Sequence, residues 1–367
     1  MNIGFCIIPF KNFYLLVWSL LLFSLHGNAQ KINGMSLAGP QHPSLTKGIF
    51  EEMQGVNINW VALIPEATLD RSTLRLLPDN QNHWWGHTME ANIQAIQLAK
   101  LAGLKVFLKP HIVLGELPSE EQPLAMYTTK MVTKKPPPKD KTRGAEWRGS
   151  LKLKSERDWK ILEASYETYI LKLAAIAEAF DVELFAVGTE LGNFTGKRPA
   201  YWRQLIHKVR QVYNGKLIYC ANWDEYDKIG FWNDLDYIGV DSYFPISRME
   251  TPDIKRTKRN WRPVQKKLKR LSKHTNRQIL LTEFGYRNVP FAGKKPWTHD
   301  KGPATINNDA QERLYSAFFQ TFWDKSWVAG GFAWQWFPSP NKQRATSFSI
   351  QNKPALEILK NWYGREG

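Results

Sequence analysis

The sequence predicts a single (β/α)8 barrel, an α/β fold. Eight apolar, β-rich runs recur along the chain, helical patterns fill the gaps between them, and the two alternate in strict order. The chain has 367 residues, 43% hydrophobic and 23% charged, which excludes a disordered tail or a fibrous repeat. A doubly wound open sheet is the rival architecture. It wants a glycine-rich phosphate turn after an early strand, and the sequence has none.

The strand runs are Ile32–Leu37, Trp60–Pro65, Lys105–His111, Val182–Glu190, Lys216–Trp223, Tyr237–Phe244, Gln278–Gly285 and Gly331–Phe337. Most are nearly continuous in apolar residues, as parallel strands covered by helices must be. The first helix is expected near Leu45–Gln54. Glu90–Ala102 stops at Gly103, a residue suited to a helix end. From Asp158, the positions Leu162, Tyr166, Tyr169, Leu173, Ile176 and Phe180 step by four and three. Tyr201–Tyr213, Glu225–Phe231, Trp261–Lys273, Asp309–Trp323 and Ala355–Trp362 complete the set.

Residues 1–29 carry one charge, Lys11, then an apolar run from Phe13 to Leu25 and the small residues Gly27-Asn28-Ala29. This predicts a secretory signal peptide cut after Ala29. The run is short for a membrane span, and no later stretch approaches one. The expected organisation is a signal peptide over 1–29 and a barrel domain over 30–367, in a secreted or periplasmic protein. The two cysteines, Cys6 and Cys220, are too few for a disulfide scaffold or a cysteine zinc site.

The net charge of +16 is concentrated in two places. Lys130–Lys160 holds 11 basic and 4 acidic residues, and Asp253–Arg277 holds 11 basic and 1 acidic. The first belongs to a basic, proline-rich loop at about 116–154, extended around Lys134-Lys135-Pro136-Pro137-Pro138-Lys139. The second sets Trp261, Val264, Leu268 and Leu271 at helical spacing with cations between, an amphipathic helix with a basic outer face. Such clustering, together with the export signal, argues against a nucleic-acid partner.

In a barrel the chemistry sits at the C-terminal strand ends. Two of these carry glutamates: Glu190 in Val187-Gly188-Thr189-Glu190, and Glu283 in Leu281-Thr282-Glu283-Phe284. Alternation groups Glu190 with Ala186 and Gly188, and Glu283 with Ile279 and Leu281, sets that suit the barrel interior. Two carboxylates in one mouth suit glycosidic bond cleavage, where one is an acid while the other stays ionised. The rim also offers Lys109-Pro110-His111, Asn222-Trp223-Asp224, Asp241-Ser242-Tyr243-Phe244 and Trp334-Gln335-Trp336. Polar groups for hydroxyls and rings for sugar faces make a saccharide cleft. The Tyr243 phenol is placed to hydrogen-bond a carboxylate on the next strand. A saccharide-binding barrel without catalysis would need no such glutamate pair. His83 and His87 are four apart, but the Trp84-Trp85-Gly86 between them does not read as a helix, so neither metal nor cofactor is expected. A serine nucleophile elbow, Gly-x-Ser-x-Gly, is also missing.

These residues resemble glycoside hydrolase family 113. The likeness runs in order through Gly34-Met35-Ser36, Lys109-Pro110-His111-Ile112, Trp147-Arg148-Gly149, Gly188-Thr189-Glu190-Leu191, Ala221-Asn222-Trp223, Asp241-Ser242-Tyr243-Phe244-Pro245, Leu281-Thr282-Glu283-Phe284-Gly285-Tyr286 and Gly331-Phe332-Ala333-Trp334. It spans about residues 33 to 363. The resemblance implies a retaining barrel glycosidase of a clan that includes β-mannanases, with Glu190 as acid/base and Glu283 as nucleophile. The expected sugar contacts are His111, Trp147, Asn222, Trp223, Asp241, Tyr243 and Trp334, and the expected partner is a polysaccharide or oligosaccharide. Thr189 stands where the wider clan often has Asn.

Overall fold

The computed structural model describes residues 30–37, 45–78, 88–115, 147–299, 305–338 and 345–365. Residues 32–364 form one compact unit, the barrel. The expected signal peptide, most of the basic loop, His83 and His87 lie outside the described residues.

Eight parallel strands close the barrel. They are β1 (Ile32–Leu37), β2 (Trp60–Leu63), β5 (Lys105–Leu108), β7 (Leu184–Thr189), β8 (Lys216–Asn222), β9 (Ile238–Asp241), β10 (Ile279–Phe284) and β11 (Val328–Trp336). Their order around the barrel is β1-β11-β10-β9-β8-β7-β5-β2. All eight coincide with the expected runs to within a few residues. The interior is packed by strand residues alone, among them Ala62, Ala186 and Cys220 with the larger Phe107 and Phe332, whose ring centroids lie 4.9 Å apart. A larger apolar layer, with Phe185, Val187, Ile279, Leu281 and Phe284 on its strand side, packs against the helices.

Two prolines reshape the rim. Strand β2 stops before Ile64-Pro65 and resumes as β3 (Glu66–Asp70), while β5 stops before Lys109-Pro110 and resumes as β6 (His111–Leu114). Proline gives no N–H to a ladder, so the pairing breaks there. Lys109 N–H to Leu63 O and His111 N–H to Pro65 O, each 2.8 Å, bracket the gap. Beyond it β3, β6 and β4 (Arg75–Leu77) form a separate three-stranded sheet, which the sequence reading did not contain.

The helices are α1 (Lys47–Gln54), α2 (Met89–Leu101), α3 (Glu156–Ala179), α4 (Gly192–Lys197), α5 (Pro199–Val212), α6 (Ile254–Thr275), α7 (Asn308–Phe322) and α8 (Ala355–Tyr363). Thr88 caps α2 by accepting Ala91 N–H at 3.2 Å, and Gly103, with φ of +80°, turns the chain out of it. Helix α6 begins two turns before the expected Trp261, because Asp253 accepts Arg256 N–H at 2.7 Å as its N-cap. It buries Thr257, Trp261, Leu268 and Ser272 and turns its cations outward. The helix expected over Glu225–Phe231 does not form. Turns closed by Glu225 N–H to Asn222 O and Lys228 N–H to Glu225 O occupy the stretch, with a 3-10 turn at Trp232–Asp234. The Glu225 side chain caps Asn222 N–H instead of lying on a helix face.

The end of the chain fastens the beginning. Tyr363 OH donates to Gly34 O at 2.8 Å, and Asn33 Nδ2 donates to Tyr363 O at 2.8 Å.

Trp261 is fully buried against Phe244, Phe318 and Phe322 and is the anchor of α6. Trp261→Ala is expected to lower the unfolding free energy by about 3–5 kcal/mol. Urea unfolding checks this, and a loss below about 1 kcal/mol would place the anchor elsewhere.

Candidate active site

Glu283 reaches the mouth through a bulge. Ile279 and Leu281 face the helices, so simple alternation would turn Glu283 outward with them, the opposite of the expected interior set. The register of β10 shifts between Leu280 and Glu283 against β9, and between Leu281 and Phe284 against β11. One residue is absorbed there, so Thr282 and Glu283 both point to the mouth while Phe284 stacks on Phe318 at 4.2 Å. Strand β7 does the same between Ala186 and Thr189. Gly188 consequently faces Trp202 and Tyr166 on the helix side, not Ala186's side. Glu190 follows with φ of +53°, a left-handed backbone unusual for a residue with a side chain.

The centre of the mouth is a buried ammonium. Lys109 Nζ lies 2.5 Å from Glu283 Oε1 and 3.0 Å from Asp241 Oδ1, and its side chain has no solvent exposure. Burial alone would lower its pKa, but Asp241 and then Glu283 outweigh that and hold it protonated well above the ordinary lysine value. Tyr243 OH donates to Glu283 Oε2 at 2.8 Å, so both oxygens of this carboxylate are engaged. Thr282 Oγ1 donates to Asp241 Oδ1 at 2.7 Å. Burial pushes the Asp241 carboxyl up, with Lys109 opposing.

Glu190 has a different environment. Its nearest polar contact is Trp147 Nε1, 3.5 Å from Oε2, the limit of a hydrogen bond. Enclosure by the protein raises its pKa, Arg148 opposes this, and the charge of Glu283 adds to it. The two carboxyls therefore feel one another across the mouth while only one is clamped by a cation and a phenol.

The other expected residues distribute as follows. His111 Nε2 is 3.9 Å from Glu283 Oε1, and burial, then Arg148 and Lys109, hold its pKa far below the usual histidine value, so it is neutral. Trp334 follows Ala333 on β11 and is half-buried. Trp223 stacks on the partly exposed Trp297 at 5.2 Å and meets Phe244 edge-on, while Asn222 Nδ2 donates to Asp224 Oδ1 at 2.9 Å. Asp241 has no exposed surface, so its place suits an internal counter-charge to Lys109 better than a sugar contact. Thr189 Oγ1 donates to Pro110 O at 3.0 Å, tying the β7 end to the proline gap. Ser36 Oγ, His111 Nε2, Ser242 Oγ and Trp334 Nε1 are buried with no hydrogen-bond partner among the described residues. No group of three or more His, Cys, Asp or Glu among the described residues is set to hold a metal, and no helix among them is long and apolar enough to cross a membrane.

Three parts of the rim escaped the sequence reading as working groups: Lys109, Arg148 and Glu225. Lys109 had a signal. A lysine that ends an apolar run and precedes proline is carried into the interior, where it requires an anion. Glu225 had none, because it lies in a turn that the sequence suggested was helical and from there bonds Tyr219 and Asn222 of β8.

A closed parallel barrel whose catalytic-end rim gathers two carboxylates in unlike surroundings is the architecture of barrel glycosidases. Sequence comparison names the family: the profile of Glycoside Hydrolase Family 113 matches residues 137–353, more than half of the chain. The chain belongs to that family and is a glycoside hydrolase. Among solved structures, it is similar to the GH113 β-mannanase AaManA from Alicyclobacillus acidocaldarius in complex with ManMIm, with a TM-score of 0.74, 22% identity, and coverage of 91% of this chain and 97% of that one. A GH113 β-1,4-mannanase complex gives 0.71 and 22%, over 92% and 100% of the two chains. A β-glucuronidase from Faecalibacterium prausnitzii gives 0.58 and 12%, over 91% of this chain and 49% of that one. Curated protein sequences give no match.

Removing the ammonium should expose its importance. Lys109→Met is expected to destabilise the fold by about 3–5 kcal/mol, because Asp241 and Glu283 are left facing each other without a counter-ion. Adding Asp241→Asn should recover part of that loss. Urea unfolding at neutral pH measures both, and equal stability of the single variant and the parent would contradict the ion-pair assignment.

Proposed function

We propose that this glycoside hydrolase is a retaining β-mannanase that cleaves β-1,4-mannan or manno-oligosaccharides by double displacement. The observation that carries the reading is the unlike setting of the two glutamates. Glu283 lies on Lys109 and Tyr243, which stabilise a carboxylate and fix its direction. Glu190 is enclosed with its pKa raised, which favours the protonated form that a general acid needs. Glu283 then attacks the anomeric carbon while Glu190 protonates the departing oxygen. In the second step Glu190 takes a proton from water as that water displaces Glu283 from the sugar. The aromatic Trp334, with Trp223 and Trp147, supplies faces for sugar rings.

The mannan preference draws on the family and on the β-mannanases that share the fold. Export fits the same reading: a polymer is met outside the cell, and residues 1–29 have the pattern of a cleaved leader ending at Ala29. No metal enters the proposed chemistry.

Glu190→Ala and Glu283→Ala are each expected to lose at least a thousandfold in turnover while staying folded. Azide fits the space vacated in Glu283→Ala and should restore turnover there, giving a glycosyl azide of inverted configuration. Near-parent activity in either variant would remove that residue from the chemistry. For substrate, initial rates on mannan, glucan and xylan should rank mannan first. Faster cleavage of glucan or xylan would overturn the mannanase assignment and leave the glycosidase standing. Proton NMR of fresh product should show the anomeric configuration retained.

A further inference from the structure

The turn that carries Glu190 is pinned from behind by a carboxylate outside the proposed reaction. Glu190 N–H donates to Cys220 O at 2.8 Å. Leu191 N–H donates to the Tyr219 hydroxyl at 2.7 Å. That hydroxyl donates in turn to Glu225 Oε1 at 3.4 Å, and the same oxygen accepts Asn222 N–H at 3.0 Å. Tyr219 is fully buried, with Trp202 and Phe231 edge-on at 5.4 and 5.6 Å, so its phenol has no other place to go. At Gly192 a Cβ would stand 2.0 Å from Glu225 Oε2, so the absence of a side chain there makes room for the carboxylate. Residues 190, 191 and 192 are thus each fitted to β8 or to the turn that follows it.

We propose that Glu225, acting through Tyr219, is a positioning residue for Glu190: it holds residues 190–192 in the left-handed turn that aims the Glu190 carboxyl, and ties the Asn222 backbone to the same clasp. The inference rests on the reading of Glu190 as the acid/base. A left-handed residue with a side chain relaxes unless its neighbours over-determine it, and the hydrogen bonds from 190 and 191 supply that constraint. The clasp is also electrically coupled to its load. Burial raises the Glu225 carboxyl to about 7, Asn222 N–H opposes this, Glu190 and Asp224 add to it, and Tyr219 opposes it. Glu190 itself faces Arg148, Glu283, Lys109 and Trp147, none of which belongs to the clasp.

The test compares kcat and KM of the full chain carrying Tyr219→Phe, Glu225→Gln, both together, and Glu190→Ala. Tyr219→Phe should lower kcat about ten- to a hundredfold, the usual effect of a misaimed group, with KM within about twofold of the parent. Glu225→Gln, which weakens acceptance of the Asn222 N–H and the Tyr219 O–H, should lower kcat in the same way with KM little changed. The double variant should be no slower than the worse single one, because the chain acts as a unit. Gly192→Ala, which displaces the carboxylate without deleting it, should give the Tyr219→Phe phenotype and serves if either substitution prevents folding. Parent kcat in the folded variants, or losses that multiply in the double variant, would overturn the inference. Activity surviving in Glu190→Ala would instead overturn the acid/base reading on which it rests.

Discussion

A lysine with no access to water organises the mouth of this barrel. An ammonium taken out of solvent must find anions, and Lys109 finds two, Asp241 from β9 and Glu283 from β10. Three strands are thereby joined at their catalytic ends by charge as well as by packing. The placement of Lys109 depends on the proline after it. Pro110 ends the β5 ladder and turns the chain into a second sheet, and the same break occurs beside it at Pro65. On either side of the proline, Lys109 and His111 converge on one oxygen: Lys109 Nζ lies 2.5 Å and His111 Nε2 3.9 Å from Glu283 Oε1.

The barrel was legible because parallel strands covered on both faces must be apolar throughout, and runs such as Lys216–Trp223 and Gln278–Gly285 read that way directly. The site was legible only as positions on the rim. Glu283 points inward through a register shift that no hydropathy pattern encodes, and the alternation that seemed to group it with Ile279 and Leu281 groups it with the helix-facing side. The small sheet was hidden because β3 and β6 continue barrel strands across a proline and β4 returns antiparallel on β3 through a short turn. The stretch Glu225–Phe231 has helical composition, but its first residue serves Asn222 and Tyr219, and tertiary demand overrode local propensity.

Charge is used in opposite ways inside and outside the barrel. At the mouth the buried Lys109, Asp241 and Glu283 pair with one another. On α6, the ten lysines and arginines of residues 254–275 have no acidic residue on their own helix. Their stems cover the edges of a helix held in place by Trp261 and Leu268, and their heads stay in water. The pI of 9.6 is a property of that helix and of the 130–160 segment, and from the latter Arg148 brings its charge to bear on Glu190 and His111 at the mouth.

The clasp between Tyr363 and the first strand bears on how the molecule is made. Strand β1 pairs with β11, and its carbonyls and amides reach a residue some three hundred and thirty positions away. Until β11 has been synthesised, β1 and β10 each present an unpaired edge. Closure brings in contacts of the longest sequence separation the chain possesses, so assembly is slow and its final step is registered at both ends at once. A cell producing this enzyme would feel that interval as demand for chaperones, and loss of the last turn of α8 would lengthen it.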